Sequence, residues 1–241
     1  MLKTIHNTSY ITNLRFVAIS TLLLALVLII QSGCEVIDEH NQLIPVTIPD
    51  TSAHRHVLLE FTGFRCVNCP AAAETATNLQ RIYGDNLIVI ALHPASNPYT
   101  QGLYDYTCPE ADSIYQLLGG APTTPFPTGS IDMRRFDDSY FVSPADWATK
   151  LNTIHLTPYT IHQTSYWLVE DSVLGVQAMP DGSVNTAYYH RHVLRAISAQ
   201  PFTQLPTQCN PAHCTMVTVY SDQDKQIIDA YETTIDLSAH H

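Results

Sequence analysis

One stretch of the chain decides its fold, and it reads VLLEFTGFRCVNCP over residues 57–70. The apolar run 57–61 predicts a buried strand, and the alanine-rich segment 71–83 that follows predicts a helix. Cys66 would lie at the helix N-terminus, where unpaired N–H groups and the helix dipole favour the thiolate, and Cys69 would follow one turn later. This layout predicts a thiol–disulfide redox centre, with a structural disulfide or half of a zinc site as alternatives.

The segments around this stretch predict an α/β domain. Residues 86–93 form a continuous apolar run that is typical of a buried parallel strand, so strand, helix and strand indicate a right-handed βαβ unit. Shorter helices are expected at 110–118 and at 144–156, the second with Ser143 as its N-cap. We place this α/β domain at residues 55–156.

From Thr160 onward the pattern changes to extended segments and turns. Residues 164–169, 173–178 and 216–220 predict strands, and the turn at 221–225 predicts a hairpin. We therefore expect a second, β-rich domain over 157–241, in the form of a small antiparallel sandwich.

The beginning of the chain predicts export. Lys3 and Arg15 supply positive charge, the apolar stretch 16–30 is too short to span a bilayer comfortably, and small residues precede Cys34. This pattern resembles a bacterial lipoprotein signal at 1–33, with acylation of the Cys34 thiol and a tether over 34–54. An ordinary signal peptide with a chance cysteine and an uncleaved anchor are alternatives. Disulfides persist in an exported chain.

Charge and missing motifs exclude several function classes. The chain carries a formal charge of −11, and cleavage of the signal would leave 9 basic against 22 acidic residues, a charge of −13. This balance, without a basic run, argues against nucleic acid or anionic lipid as a partner. The sequence lacks a nucleophile elbow, a phosphate-binding loop and a zinc-protease helix, so hydrolase and nucleotide-binding functions are disfavoured. No cofactor is expected.

Residues 55–156 resemble a thioredoxin fold. The resemblance rests on residues at matching positions: Glu60, Cys66, Cys69 and the turn 126–128. It implies that Cys66 is the attacking cysteine, that Cys69 is the resolving cysteine, and that Glu60 is the buried proton acceptor. It also implies that Pro127, with Pro125 as the lesser candidate, follows a cis peptide bond, packs against the disulfide and offers backbone to a bound peptide.

The chain departs from thioredoxins around the cysteines. Arg65 replaces the usual Trp, and Val67-Asn68 replaces the usual Gly-Pro. A cation beside Cys66 would lower the pKa of its thiol and push the pair towards oxidant or isomerase character. The alternative is that Arg65 points into water.

Taken over its whole length, the chain resembles a family of Gram-negative outer-membrane lipoproteins, the twenty-eight-kilodalton outer membrane protein family. The resemblance adds the segment YHRHVLR at 189–195 to the lipoprotein start, the strand end at 60–63 and the cysteine pair. It covers residues 50–241 and implies a thioredoxin-like domain before a β-rich one. It also implies a lipid anchor in the outer membrane, without indicating which face of that membrane the protein occupies.

The remaining cysteines and histidines give further candidates. Besides the Cys66–Cys69 disulfide we expect a Cys209–Cys214 disulfide, which leaves Cys108 either as an extra resolving thiol or as an idle buried one. His93, at the end of the second strand, either tunes a thiolate or serves a plain surface role.

Pairs of histidines two residues apart invite a metal interpretation. The pairs are His54 with His56 and His190 with His192, and His213 lies between Cys209 and Cys214. A metal needs three or four converging ligands, so we expect no metal site.

Two functions remain. The first is thiol–disulfide exchange through Cys66 and Cys69 on the thiols or disulfides of exported proteins. The second is a non-enzymatic binding or structural lipoprotein in which the same pair forms a structural disulfide.

Overall fold

The computed structural model describes residues 54–102, 104, 106–155 and 160–235. The predicted signal peptide, the acylated Cys34 and the tether up to residue 53 lie outside these residues, so those predictions stay predictions. In the part of the chain that the structure describes, no helix is long and apolar enough to cross a membrane.

Nine strands and three α-helices make up the described chain. The strands are β1 (His56–Phe61), β2 (Leu87–Leu92), β3 (Thr128–Ile131), β4 (Gln163–Glu170), β5 (Val173–Ala178), β6 (Val184–His190), β7 (Val193–Ser198), β8 (Cys214–Ser221) and β9 (Ile227–Thr234). The helices are α1 (Cys69–Tyr83), α2 (Pro109–Leu117) and α3 (Trp147–Leu151), and short 3₁₀ turns cover Gly84–Asn86, Pro144–Asp146 and Pro211–His213.

The predicted βαβ unit is present. β1 and β2 pair in parallel, with Glu60 opposite Ala91, and α1 connects them. The helix expected at 144–156 is shorter than predicted, since one 3₁₀ turn and the five residues of α3 replace it. The sequence prediction missed β6 and β7.

Strands from both halves of the chain form one mixed sheet, which differs from the two domains expected. The seven strands run in the order β3-β1-β2-β7-β4-β8-β9, and β5 pairs only with β6 in a separate two-stranded hairpin. The strands of the two halves of the chain meet at β2, which pairs in parallel with β7 along the edge that β1 does not occupy. The Ala91 N–H donates to His192 O at 2.7 Å. The later strands therefore extend the first sheet, and the separate antiparallel sandwich expected over 157–241 is not formed.

The core lies on both faces of this sheet because residues on β1 and β2 alternate between them. Leu58 and Val89 pack on one face with α1 and α3, around the fully buried Trp147. Leu59 and Ile90 pack on the other face with α2 and with apolar side chains of β4, β7, β8 and β9.

The last strand, β9, also bonds to residues that lie next to β1 and β3. Ile227 N–H at the beginning of β9 donates to Asp132 O at 2.8 Å, and Arg55 N–H donates to Asp229 Oδ1 at 2.9 Å. Strands from both halves of the described chain therefore share one apolar cluster, that of Leu59 and Ile90.

Unfolding should accordingly be a single transition that mutations in either half of the chain shift. Leu59→Ala in β1 and Leu194→Ala in β7 remove side chains that are 0% and 1% exposed, and each should cost about 2–5 kcal/mol. Leu117→Ala, at a position 50% exposed, is the control and should change stability by at most about 0.5 kcal/mol. Urea unfolding followed by circular dichroism measures all three. Two transitions, of which each core variant shifted only one, would contradict the single core.

Candidate functional site

Cys66 and Cys69 form a disulfide bond between the end of β1 and the start of α1, as the sequence predicts. The helix begins at Cys69 and not at Cys66, because Asn68 is the N-cap and Pro70, which has no N–H to leave unpaired, fits the first turn. The Cys69 N–H donates to Cys66 O at 3.2 Å. Cys69 is thus the sulfur closest to the helix N-terminus.

The hairpin of β5 and β6 covers this disulfide. Ala178 N–H donates to Phe64 O at 2.7 Å, and the buried Gln177 side chain donates from Nε2 to Cys66 O at 2.8 Å. Cys66 and Cys69 are each only 2% exposed as a result. Neither sulfur is open to a protein substrate in this conformation.

Tyr106 holds strand β5 of the hairpin in place. Its hydroxyl oxygen accepts a hydrogen bond from Val176 N–H at 3.0 Å, and a Cβ on Gly175 would collide with that hydroxyl. On the other side of the cysteine loop, Arg65 N–H donates to Tyr99 O at 3.0 Å. The loop that carries the disulfide is therefore held between the hairpin and the segment after β2.

A cavity of about 370 Å³ lies between α1 and this hairpin, and its lining includes Glu60, Cys69, His93, Tyr188 and His190. Glu60 is 3% exposed, and no hydrogen-bond partner reaches its Oε1 from the described residues. Burial in this apolar setting raises the pKa of Glu60 to about 8. The Glu60 side chain is therefore mostly a neutral carboxylic acid at pH 7, and it lines the same cavity as Cys69.

His93 is the second buried polar group in this cavity. It is 2% exposed, and within the described part of the chain neither ring nitrogen has a hydrogen-bond partner. Burial, with smaller effects from His190 and Arg195, holds the pKa of His93 well below its ordinary value. Its burial excludes the surface role, and at neutral pH it is an uncharged imidazole that can donate and accept.

Pro127 and Cys108 are two further candidates from the sequence, and neither lines the cavity. The Phe126–Pro127 bond is cis, as the resemblance implies, and Phe126 belongs to the same apolar cluster as Cys66 and Cys69. Cys108 belongs to that cluster as well, and burial raises the pKa of its thiol to about 12. Cys108 thus remains a protonated thiol, which disfavours its role as an extra resolving residue.

Arg65 lies at the surface. Its side chain is exposed and donates from Nη1 to Gln101 O at 3.4 Å. This placement agrees with the alternative interpretation, in which Arg65 points into water.

The expected Cys209–Cys214 disulfide is not formed. Both residues are buried free thiols, and their Sγ atoms and a Glu170 carboxylate oxygen lie within 4.8 Å of one another. Burial, with a smaller contribution from Glu170, raises the pKa of both thiols, that of Cys214 to about 12.

Sequence reasoning missed several residues of the site. Gln177 and Tyr188 have no local pattern that marks them, and the chain brings them into place only through tertiary packing. His190 had a weak signal, its two-residue spacing from His192, and lies in the cavity wall.

Comparisons with known proteins show the fold and not the function. No family model matches the sequence, and no curated protein matches it. Among solved structures, HBP35 of Porphyromonas gingivalis is 14% identical, with a TM-score of 0.52 and coverage of 76% of each chain. A structural genomics target from Agrobacterium tumefaciens is 15% identical, with a TM-score of 0.43 and coverage of 78% of this chain and 99% of that one. At such identity the likeness to HBP35 extends to the fold alone.

Replacing Glu60 should change how stability depends on pH. Because the pKa of Glu60 rises from 4.5 to about 8 on folding, ionisation opposes folding, and its cost grows as pH rises from about 4.5 to 8. Below pH 4.5 that cost is absent. Glu60→Gln should therefore gain stability over the wild type with rising pH, by on the order of 5 kcal/mol above pH 8.

Chemical denaturation at several pH values measures this difference on the oxidised protein. Glu74→Gln is the control, since Glu74 lines the same cavity but is exposed. A constant difference between Glu60→Gln and the wild type from pH 4 to pH 9 would contradict the buried neutral acid.

Proposed function

We propose that this chain is an exported thiol–disulfide exchange protein whose reactive pair is Cys66 and Cys69. One observation carries the proposal: the disulfide borders a cavity that also holds a buried acid, Glu60, with a pKa of about 8. A structural disulfide has no need of such a group, whereas an exchanging one must deliver and remove protons.

The reductive direction shows what each residue does. The Cys66 thiolate attacks one sulfur of a substrate disulfide, which forms a mixed disulfide and releases the other substrate sulfur as a thiolate. The Cys69 thiol then loses its proton to Glu60 and attacks Cys66 Sγ, which releases the second substrate thiolate. The protein dithiol is oxidised by two electrons and the substrate disulfide is reduced; the reverse sequence oxidises a substrate dithiol.

The pKa of Glu60 suits this proton transfer. An acid with a pKa near 8 is ionised in roughly one molecule in ten at pH 7, and it lies within about one unit of an ordinary thiol. Proton exchange between such groups is nearly balanced, so the same carboxyl can take a proton from Cys69 and return it. His93 lines the same cavity and offers a route for that proton towards solvent.

Features of residues 55–156 support the thioredoxin-like assignment of this part of the chain. Strand β1, the cysteine pair, α1 and β2 follow in that order, β1 and β2 are parallel, and β3 pairs antiparallel with β1 directly after the turn 126–128. The β-rich remainder of the chain extends the sheet and supplies the covering hairpin. Pro127 would then hold a substrate strand once the hairpin has moved aside.

Partners and location rest on the sequence alone. Thiols or disulfides of exported proteins are the proposed substrates, and an acyl group on Cys34 would anchor the protein to the outer membrane of the cell envelope. The acidic charge of the mature chain disfavours nucleic acid as a partner.

The burial of both sulfurs favours a second candidate. If the hairpin never releases the cysteine loop, Cys66–Cys69 is a structural staple, and the protein is a binding or structural lipoprotein. Closing so short a loop would stabilise the fold by about 2 kcal/mol.

Substitution of each cysteine separates the two candidates. With a disulfide-bonded peptide and dithiothreitol, the wild type should accelerate reduction, and Cys66→Ser should fall to the uncatalysed rate while keeping its fold. Reduced Cys69→Ser, freed of dithiothreitol before the peptide is added, should accumulate the mixed disulfide. Cys108→Ser, which removes a buried thiol of high pKa, is the control and should keep full activity. A wild type with no turnover, together with a loss of stability in Cys66→Ser, would support the structural staple.

Loosening the hairpin should speed the reaction of the disulfide. Gln177→Ala removes the hydrogen bonds from Nε2 to Cys66 O and to Ala178 O, so reduction by dilute dithiothreitol should be about threefold to tenfold faster. Alkylation of the released thiols, followed in time by mass spectrometry, measures the rate. Gln200→Ala, at an exposed position outside the hairpin, should leave it unchanged. Equal rates in Gln177→Ala and the wild type would show that the hairpin does not limit access.

A further inference from the structure

A second cluster of metal-ligating side chains lies apart from the disulfide, at the other end of β1. His56 is the first residue of that strand, His54 lies two residues before it, and Asp132 directly follows β3, the antiparallel neighbour of β1. His56 Nδ1 lies 2.7 Å from Asp132 Oδ2, and His54 Nε2 lies 3.7 Å from the same oxygen. One ligand atom from each of the three residues lies within 4.8 Å of the other two.

The backbone holds Asp132 in this position. Asp132 N–H donates to Val57 O at 2.9 Å, and Val57 N–H donates to Asp132 Oδ1 at 2.7 Å. The residue adopts a φ of +53°, a left-handed conformation that aspartate tolerates better than most side chains. The carboxylate therefore points back at β1, and Oδ2 is left facing the two imidazoles.

All three side chains are removed from water. His54, His56 and Asp132 are 2%, 1% and 0% exposed. A carboxylate buried to this extent needs a compensating partner, and a cation facing Asp132 Oδ2 would be one.

We propose that His54, His56 and Asp132 bind a divalent transition-metal ion of the zinc class. Two imidazoles and one carboxylate are a common ligand set for such ions. In a tetrahedral site with bonds of about 2.0–2.1 Å, ligand atoms lie about 3.3 Å apart, between the two distances found here. Small side-chain movements would complete the arrangement, and a water molecule would take the fourth position.

Such an ion would act on the fold and not on the disulfide. It would join β1 to the residue after β3, and Asp132 O also accepts the N–H of Ile227 at the start of β9. The ion would therefore link β1 and the residue after β3 at the point where β9 also bonds. The stabilisation of the folded state would grow with the logarithm of the free ion concentration once this exceeds the Kd.

Zinc titration of the untagged, disulfide-oxidised full chain tests the proposal after chelator treatment. Native mass spectrometry should show one Zn²⁺ per chain, and the Tm should rise with Zn²⁺ concentration. His54→Gln and Asp132→Asn should each weaken Zn²⁺ binding at least about tenfold. If Asp132→Asn fails to fold, His54→Gln gives the result alone, since Asp132 keeps both of its bonds to Val57.

A matched control is necessary because Glu170, Cys209 and Cys214 also bring three ligand atoms within 4.8 Å. The double variant Cys209→Ser/Cys214→Ser should bind Zn²⁺ as tightly as the wild type, and Co²⁺ substitution should give no thiolate-to-metal charge-transfer band. Zinc binding that is lost in the cysteine variant and kept in His54→Gln would overturn the proposal. A folded wild type that binds no Zn²⁺ would do so too, and would show the cluster to be a hydrogen-bonded triad only.

Discussion

Two hydrogen bonds from the β5–β6 hairpin, one to Phe64 O and one to Cys66 O, determine the exposure of the disulfide and the closure of the cavity beside it. They hold the cysteine loop against the end of β1 and remove both sulfurs from water. They also close one side of the cavity in which Glu60 and His93 lie. If the chain exchanges disulfides, these bonds must break and re-form in each cycle, so access to the disulfide and the proton affinity of Glu60 are controlled by the same element.

The cavity contains two polar groups whose charged forms burial disfavours. Glu60 is a mostly neutral acid and His93 a neutral base at pH 7, since burial raises the pKa of the first and lowers that of the second. Opening the hairpin would admit water and shift both pKa values towards their ordinary range. The proton affinity of Glu60, the acceptor proposed for Cys69, would thus change with the position of the hairpin, which would link the proposed chemistry of the disulfide to its exposure.

The sequence predicts the elements whose signals are local. The apolar runs of β1 and β2 and the placement of Pro70 and Gly84 define the βαβ unit to within two residues. β6 escaped prediction because most of its side chains are exposed and show no apolar face. The single sheet depends on the pairing of β2 with β7, about a hundred residues later, which no local pattern encodes. Cys66 and Cys69 follow from their spacing after an apolar run, and Glu60 from the resemblance to thioredoxins. Gln177 and Asp132 have no local pattern and reach their places only through tertiary packing.

The redox potential of Cys66–Cys69 in the folded protein tests the central claim most directly. The chain would be equilibrated in graded thiol–disulfide buffers, alkylated, and each cysteine mapped by mass spectrometry. The account predicts a midpoint between about −270 and −120 mV, reached without unfolding, in the range of known exchange proteins. A pair that stays oxidised below about −300 mV, or that is reduced only when the protein unfolds, would contradict it.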